Sequence, residues 1–173
     1  MVLIETLTEI FINHNNWAYV ILFLGAYFET FFGLGFIIYG ELFFLAGAIL
    51  AGSGALNIYI VFTVAIIGGI LGDSTGYWIG KRFGKPFLKK IFKAEKMFFN
   101  IKNYNKAKDF FRKHGKKSIF LGRFAGPMSC VFPFLAGSMH IKYKDFLKYN
   151  VPAVILGISQ FLLVGYIFGY SYV

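Results

Sequence analysis

The sequence predicts an all-α membrane protein. It is expected to be an inverted repeat of a re-entrant hairpin plus a transmembrane helix, with amphipathic helices at the membrane surface. Three observations lead to this fold. The 173 residues are 57% hydrophobic, 21% aromatic and only 15% charged, which is less charge than a soluble domain of this size carries. Two apolar stretches carry charges and are broken by glycine or proline, and short motifs recur about 90 residues apart. One membrane domain over residues 1–173 is expected.

Residues 1–57 predict a surface helix followed by a hairpin. Residues 1–16 repeat apolar residues at helical spacing with acidic residues between them, which indicates an interfacial helix. Residues 17–57 are too long for one straight helix across a hydrocarbon core of about 30 Å. They contain Glu29 and Glu41, and a carboxylate at membrane depth costs roughly 2.5 kcal/mol or more. A re-entrant hairpin lining a polar cavity accounts for both features; a pair of ordinary spans is the alternative.

Residues 58–80 form the first predicted transmembrane helix. It ends in Tyr77 and Trp78, which are typical of an aromatic belt at a membrane interface. Because Lys81 follows at once, the positive-inside rule directs this helix from the outside to the cytoplasm. Asp73 lies near the cytoplasmic end, where Lys81 or water could neutralise its charge.

A basic connector occupies residues 81–117. It holds fourteen of the eighteen lysines and arginines of a chain whose net charge is +10. Because it joins apolar spans, a cytoplasmic loop is a better interpretation than a nucleic-acid interface. Pro86 and Asn103–Asn105 predict breaks between two amphipathic helices on the membrane. Each basic residue near an anionic leaflet contributes about 1 kcal/mol, so Lys81–Lys117 is expected to face an anionic lipid surface. An ordinary anchor without a specific lipid site is the simpler form of this prediction.

Residues 118–140 form the second predicted hairpin. A Gly-Pro pair at residues 126–127 and a further proline, Pro133, interrupt any helix here. If this stretch crossed the membrane, the basic run over residues 142–148 would lie outside, so the positive-inside rule favours a hairpin. Residues 149–173 then cross from the cytoplasm to the outside as the second transmembrane helix.

An internal repeat supports two similar halves. Leu45-Ala46-Gly47 recurs as Leu135-Ala136-Gly137, and the glycine and tyrosine pattern of residues 76–80 recurs over residues 165–169. The two predicted spans run in opposite directions, which is the plan of many transporters. Chance similarity between glycine-rich apolar segments is the alternative.

Four charged residues lie within apolar stretches: Glu29, Glu41, Asp73 and Arg123. Each of them needs a partner or water. Arg123 could hold an anionic headgroup while a carboxylate takes up a proton, so the three carboxylates are predicted to gate or couple through protonation. A static ion network that only fixes the packing is the alternative.

No enzyme active site, metal site or cofactor is predicted. His14, His114 and His140 lack metal-ligand spacing. Ser129 and Cys130 have no nearby histidine to activate them as nucleophiles. Nucleotide-binding motifs are missing from the sequence as well.

Several short motifs of the chain are shared with one family. They are Phe28-Glu29, Gly40-Glu41, Leu45-Ala46-Gly47, Leu71-Gly72-Asp73, Gly80-Lys81, His114-Gly115, Gly122-Arg123-Phe124, Gly126-Pro127, Pro133 and Leu135-Ala136-Gly137. From about Trp17 to Tyr170 the chain thus resembles the DedA family, also called SNARE-associated or VTT-domain membrane proteins. The resemblance implies two facing re-entrant hairpins. It also implies movement of polyprenyl-phosphate carriers or phospholipids across the membrane, often linked to the proton gradient.

The resemblance also implies roles for single residues. Glu29 and Glu41 match the acidic residues of the family, and Arg123 matches the first arginine of its second hairpin. The family usually has a second arginine where this chain has Ser129. With one cation fewer, weaker binding of a doubly charged phosphate is expected, and a zwitterionic phospholipid becomes a stronger candidate. The predicted substrate-binding residues are Arg123, Gly126, Pro127 and Ser129.

The predicted function is therefore translocation of phosphate-headed lipids by a flippase or scramblase, with protons as a second partner. A proton-coupled transporter of a small solute or ion and a structural scaffold without transport are the alternatives. The protein is expected in the plasma membrane with the basic connector in the cytoplasm. The sequence leaves the oligomeric state open, including a homo-oligomer.

Overall fold

The computed structural model describes residues 15–30, 40–92, 101–126 and 129–171. These residues form seven α-helices and no β-strand, which confirms the all-helical fold class. Most of the predicted interfacial helix, the tip of the first predicted hairpin and Pro127 lie outside the described residues. The helices are α1 (Asn15–Thr30), α2 (Gly40–Gly52), α3 (Ile58–Phe92), α4 (Ile101–His114), α5 (Lys117–Gly122), α6 (Val131–Ser138) and α7 (Tyr143–Ser171).

Both long helices extend beyond their predicted bounds. The helix predicted over residues 58–80 continues as α3 to Phe92. The backbone at Gly84 is not helical, so α3 consists of two helices that meet at a kink. Glycine adopts the φ of 44° found there at little cost. Helix α7 begins at Tyr143 rather than at residue 149, so two lysines of the predicted basic run lie on its first turns.

Two predicted interruptions fall elsewhere. Helix α4 runs straight through Asn103–Asn105. Pro133 lies in the first turn of α6, where its missing N–H removes no hydrogen bond within the helix. The interruption predicted at the Gly-Pro pair is found. The described residues between α5 and α6, which are 123–126 and 129–130, are not α-helical, and Gly126 among them has a φ of 61°.

Among the described helices, two are long and apolar enough to cross a membrane. They are the Ile58–Gly84 part of α3, with 27 residues, and α7, with 29. Helices α1 and α2 have 16 and 13 residues, whereas a span needs about 20. Large apolar side chains are exposed along α1, α3 and α7, among them Ile21, Leu24, Ile67, Leu71, Leu163 and Phe168. Such a surface is expected in contact with lipid chains rather than water.

The short helices pack on the two long helices. Helix α2 packs most extensively on α7, α6 packs on α3, and α1 also packs on α3. Glycines permit the close approach. A Cβ added at Gly137 in α6 would overlap the carbonyl oxygen of Tyr77 in α3. A Cβ at Gly165 in α7 would lie 2.8 Å from the carbonyl oxygen of Leu45 in α2. Because backbone atoms cause these clashes, side-chain rotation cannot relieve them.

Replacing Gly137 by alanine is therefore expected to lower thermal stability in detergent. The α3–α6 pair has to separate to admit the methyl group, and overpacking of this kind costs about 1–3 kcal/mol. The measurement is the midpoint of thermal aggregation or unfolding. Ala46→Val, which adds volume at an exposed position of α2, is the matched control and should leave the midpoint unchanged. Equal midpoints for both variants would contradict the packing described here.

Two apolar clusters form the interior. One joins α1, α2, α3 and α7 around Leu22, Phe44, Val61 and Ile158. The other joins α3, α4, α5, α6 and α7 and includes Tyr77 and Phe146. Helices α3 and α7 pass from one cluster to the other, and the buried polar residues Asp73 and Asn150 lie on them between the two clusters. The apolar core is thus divided by a polar layer.

Contrary to the prediction from the sequence, Tyr77 does not belong to an aromatic belt at the membrane interface. Its side chain is fully buried, its ring stacks on Phe146, and its hydroxyl donates a hydrogen bond to the Ile141 carbonyl. Only Trp78 is exposed, at 50%, and the Lys81 ammonium lies 4.9 Å from the centroid of its ring. Tyr77 is therefore a core residue that ties α3 to the start of α7.

An ion pair at the surface links the loop after α4 to the start of α7. Lys116 Nζ donates a hydrogen bond of 2.7 Å to Asp145 Oδ2. This contact raises the pKa of Lys116 above its ordinary value, so the lysine stays charged at physiological pH. Because both groups are exposed, the pair adds little to stability.

Candidate functional site

Arg123 directly follows α5 and points into the core. Its backbone N–H donates to the Phe120 carbonyl at 3.2 Å, which ends the helix. Its side chain is only 9% exposed, and Nη1 lies 3.5 Å from Oδ2 of Asp73, which is 1% exposed. The aliphatic stem lies against Gly157 of α7, where an added Cβ would be 3.2 Å from Arg123 Cγ. The guanidinium is thus held between α3 and α7.

Asp73 and Asn150 are incompletely hydrogen-bonded. Within the described part of the chain, Asp73 Oδ1 and Asn150 Nδ2 are buried and lack a hydrogen-bond partner of ordinary geometry. The Asn150 amide nevertheless lies close enough to interact with the Asp73 carboxylate. A buried unsatisfied polar atom costs about 1–3 kcal/mol, so both atoms lower the stability of the fold.

A cavity of about 320 Å³ opens next to Arg123. It brings together five residues that the sequence nominates: Glu29, Glu41, Arg123, Gly126 and Ser129. The remaining lining residues are Phe44, Phe124, Gly157, Gln160 and Phe161. The cavity therefore combines side chains from α1, α2, the α5–α6 segment and α7, with polar groups on an otherwise aromatic wall.

The charges of this site do not balance. Glu29 interacts electrostatically with Arg123, Glu41 and Asp73. One of its oxygens, Oε2, is buried and has no hydrogen-bond partner in the described residues. Glu41 is exposed. With all four groups ionised, three carboxylates face one guanidinium, so the site is negative unless protons or a cation neutralise it.

Asp73 lies in a different environment from the one predicted. The sequence places it near Lys81 or water, but it is fully buried and pairs with Arg123. Lys81 instead lies over Trp78. Asp73 is also missing from the cavity lining and lies behind Arg123. Among the described residues, no group of three or more His, Cys, Asp or Glu side chains could hold a metal ion.

Three residues of α7 were missed by the sequence analysis. Asn150, Gly157 and Gln160 all face the site or its polar layer. Their spacing of seven and three residues places them on one side of a helix. A buried amide in an otherwise apolar span is the pattern that could have found them.

Comparison with known proteins agrees with the resemblance seen in the motifs. A family model for the VTT domain matches residues 37–167. The Escherichia coli K12 protein named Protein DedA is 34% identical over 167 residues, covering 94% of this chain and 74% of that protein. The chain belongs to the DedA family.

Other relatives fit this DedA assignment. An uncharacterized membrane protein of Synechocystis is 33% identical over 167 residues, which cover 92% of this chain and 72% of the relative. Inner membrane protein YabI of Escherichia coli K12 is 28% identical over 171 residues, or 95% of this chain and 64% of the relative. No solved structure matches the chain significantly. The names of these relatives support a membrane location for this DedA-family protein.

Proposed function

We propose that this protein moves phosphate-headed lipids across the membrane without chemically changing them, and that protons are linked to the movement. The observation that carries the proposal is the cavity in which Arg123 meets Glu29 and Glu41. Charged side chains inside a membrane protein are expensive and mark substrate or proton paths. The headgroup is expected to enter this cavity while the acyl chains stay in the bilayer.

Arg123 is the proposed phosphate ligand. A guanidinium can donate two parallel hydrogen bonds to phosphate oxygens. Its present contact with Asp73, at 3.5 Å, is at the long limit of a hydrogen bond, so a phosphate can compete for the same donors. Asp73 then acts as the positioning residue that holds the guanidinium in place until a phosphate binds.

The proposed proton link follows from the surplus of carboxylates. A phosphate adds further negative charge to a site that already holds Glu29, Glu41 and Asp73 around one cation. Repulsion between charges a few ångströms apart is strong where water is scarce. Proton uptake by Glu29 or Glu41 removes this repulsion, so phosphate binding and proton binding should favour each other.

We further infer that the chain is an inverted repeat of two re-entrant hairpins, α1–α2 and α5–α6, each followed by a transmembrane helix. The four hairpin helices are short, with 16, 13, 6 and 8 residues, and a span needs about 20. The packing supports the repeat, because one helix of each hairpin lies on the long helix of the other half: α2 lies on α7, and α6 lies on α3. The basic connector then lies at the cytoplasmic face near anionic lipid.

Single cysteines test this topology in intact cells. A membrane-impermeant maleimide is expected to label Ser53→Cys from the outside. Lys113→Cys and Lys142→Cys should react only after the membrane is permeabilised. Wild type is the control, since its single cysteine, Cys130, is buried. Labelling of Lys142→Cys from the outside would show that residues 118–140 cross the membrane rather than turn back.

A proton-coupled transporter of a small cationic solute is the second candidate. The excess of carboxylates over guanidinium in the site favours it. Proteoliposomes distinguish the two functions. Headgroup-labelled phosphatidylglycerol, phosphatidylethanolamine and polyprenyl phosphate should move faster than in empty liposomes, while labelled soluble amines should not accumulate. Uptake of an amine without lipid movement would replace the lipid proposal by the transporter.

Ser129→Arg is expected to shift substrate preference. Ser129 lines the cavity with Arg123, so a second guanidinium there would offset one carboxylate and bind a doubly charged phosphate better. A charge-assisted hydrogen bond contributes about 1.5–3 kcal/mol, so competition by polyprenyl phosphate should strengthen about tenfold or more relative to phosphatidylethanolamine. Ser129→Gln, of similar length without charge, is the control. No difference between the two variants would argue against a phosphate at this position.

A further inference from the structure

A second cavity lies on the other side of the segment that carries Arg123. It is a groove of about 200 Å³ between α4 and the α5–α6 segment. Among the described residues it is lined by Ala107, Phe110, Leu121, Gly122, Ala125 and Phe132, together with one charged residue, Lys106. Leu121 is 44% exposed, and Ala125 and Lys106 are exposed as well. The groove is therefore mostly apolar, open to the surroundings, and lined by one exposed basic residue.

The groove and the main cavity share a wall. Gly122 and Ala125 line the groove, whereas Arg123, Phe124 and Gly126 line the main cavity. Residues 122–126 thus contribute to the walls of both cavities. An occupant of the groove would restrict the movement of the segment that positions Arg123.

We propose that this groove binds one acyl chain of an anionic phospholipid from the surrounding bilayer, with the phosphate on Lys106. An apolar groove that is also lined by an exposed cation matches an anionic amphiphile. The charge of α4 matches too, because Arg112 and Lys113 are exposed on it and outnumber its exposed Asp109, and basic residues attract anionic headgroups. Leu121, a large apolar residue of the groove, is exposed, as expected where a protein contacts lipid chains.

This lipid is a bound ligand, distinct from the cargo of the main cavity. Its phosphate is held by Lys106 on α4, and its chain supports residues 121–126 from behind. The inference does not depend on lipid transport, because it concerns binding in a separate cavity and is tested by binding alone.

Photo-crosslinking tests the site in the full-length protein. The probes are phosphatidylglycerol and phosphatidylcholine, each with a diazirine on one acyl chain, in nanodiscs of phosphatidylcholine. Mass spectrometry is expected to find phosphatidylglycerol adducts on Phe110, Leu121 or Phe132 at least about threefold above those of phosphatidylcholine, as expected for an added charge contact.

Two variants with matched controls test the contacts. Lys106→Glu should reduce the phosphatidylglycerol adducts in the groove to the phosphatidylcholine level, whereas Lys117→Glu, with the same charge change outside the groove, should preserve most of them. Ala125→Phe should fill the groove and reduce adducts of both lipids, whereas Ala46→Phe on exposed α2 should not. Size-exclusion profiles and helical circular dichroism identify any variant that fails to fold.

The outcomes separate a site from general lipid contact. Loss of adducts with Lys106→Glu and Ala125→Phe, but not with their controls, supports the proposal even if no lipid transport is found. The proposal would be overturned if both lipids label the groove equally and Lys106→Glu does not change this labelling. The labelling would then come from ordinary boundary lipid only. Labelling by phosphatidylglycerol at Lys117 or α7 instead of the groove would overturn it too.

Discussion

Removal of the Arg123 side chain is expected to slow lipid movement strongly. In proteoliposomes, Arg123→Ala should translocate headgroup-labelled lipids about ten- to a hundredfold more slowly than wild type, because one or two charge-assisted hydrogen bonds to phosphate are lost. It should also be less stable, because Asp73 would remain 1% exposed without its cation. Breaking a buried pair in this way costs about 3–5 kcal/mol.

A double variant separates these two effects. Asp73→Asn/Arg123→Ala removes both charges, so thermal stability in detergent should recover most of the loss while transport stays at the level of Arg123→Ala. Asp73→Asn alone should keep the phosphate ligand and lose only its positioning, so transport should fall less than in Arg123→Ala. Recovery of transport together with stability in the double variant would mean that Arg123 serves packing only, as the scaffold hypothesis holds.

Neutralisation of Glu29 is expected to uncouple transport from protons. In wild type, an acidic pH on the side from which the lipid enters should accelerate movement, because protonation removes repulsion between phosphate and carboxylates. Glu29→Gln resembles the protonated group permanently. Over a pH interval in which the rate of wild type changes about tenfold, the rate of Glu29→Gln should therefore change by less than about twofold. The tenfold change corresponds to roughly 1.4 kcal/mol of charge repulsion.

Substitutions of two other carboxylates serve as controls for Glu29→Gln. Asp109→Asn removes an exposed negative charge from α4 outside the cavity, and its rate should keep the dependence of wild type on pH. Glu41→Gln removes the exposed carboxylate of the cavity and should weaken the dependence partly. A pH response of Glu29→Gln as steep as that of wild type would exclude Glu29 as the proton site.

The sequence predicted the site better than the helix boundaries. Glu29, Glu41 and Arg123 stood out because charges in apolar stretches are expensive, and they do line one cavity. That argument works without knowledge of packing, since it depends only on the cost of charge in lipid. The roles assigned to these residues remain predictions.

What the sequence could not provide were contacts set by packing. Asp73 is 50 positions from Arg123 in the chain, and their pairing depends on how α5 meets α3 and α7. Tyr77 resembles a belt residue in sequence but is buried by Phe146 from α7. The apolar part of α3 ends at Gly84, close to the predicted end at residue 80, and the second helix that follows the kink to Phe92 belongs to the predicted basic connector.

The most direct test of the central claim is the initial rate of headgroup-labelled phospholipid movement in proteoliposomes. Wild type, folded Asp73→Asn/Arg123→Ala and empty liposomes are compared at equal protein density, with and without a pH gradient. We predict that wild type moves the lipid well above the empty liposomes, that the gradient increases the rate, and that the double variant falls back to the background. Wild type at the background rate, or a double variant as fast as wild type, would contradict a cavity in which Arg123 carries a lipid phosphate.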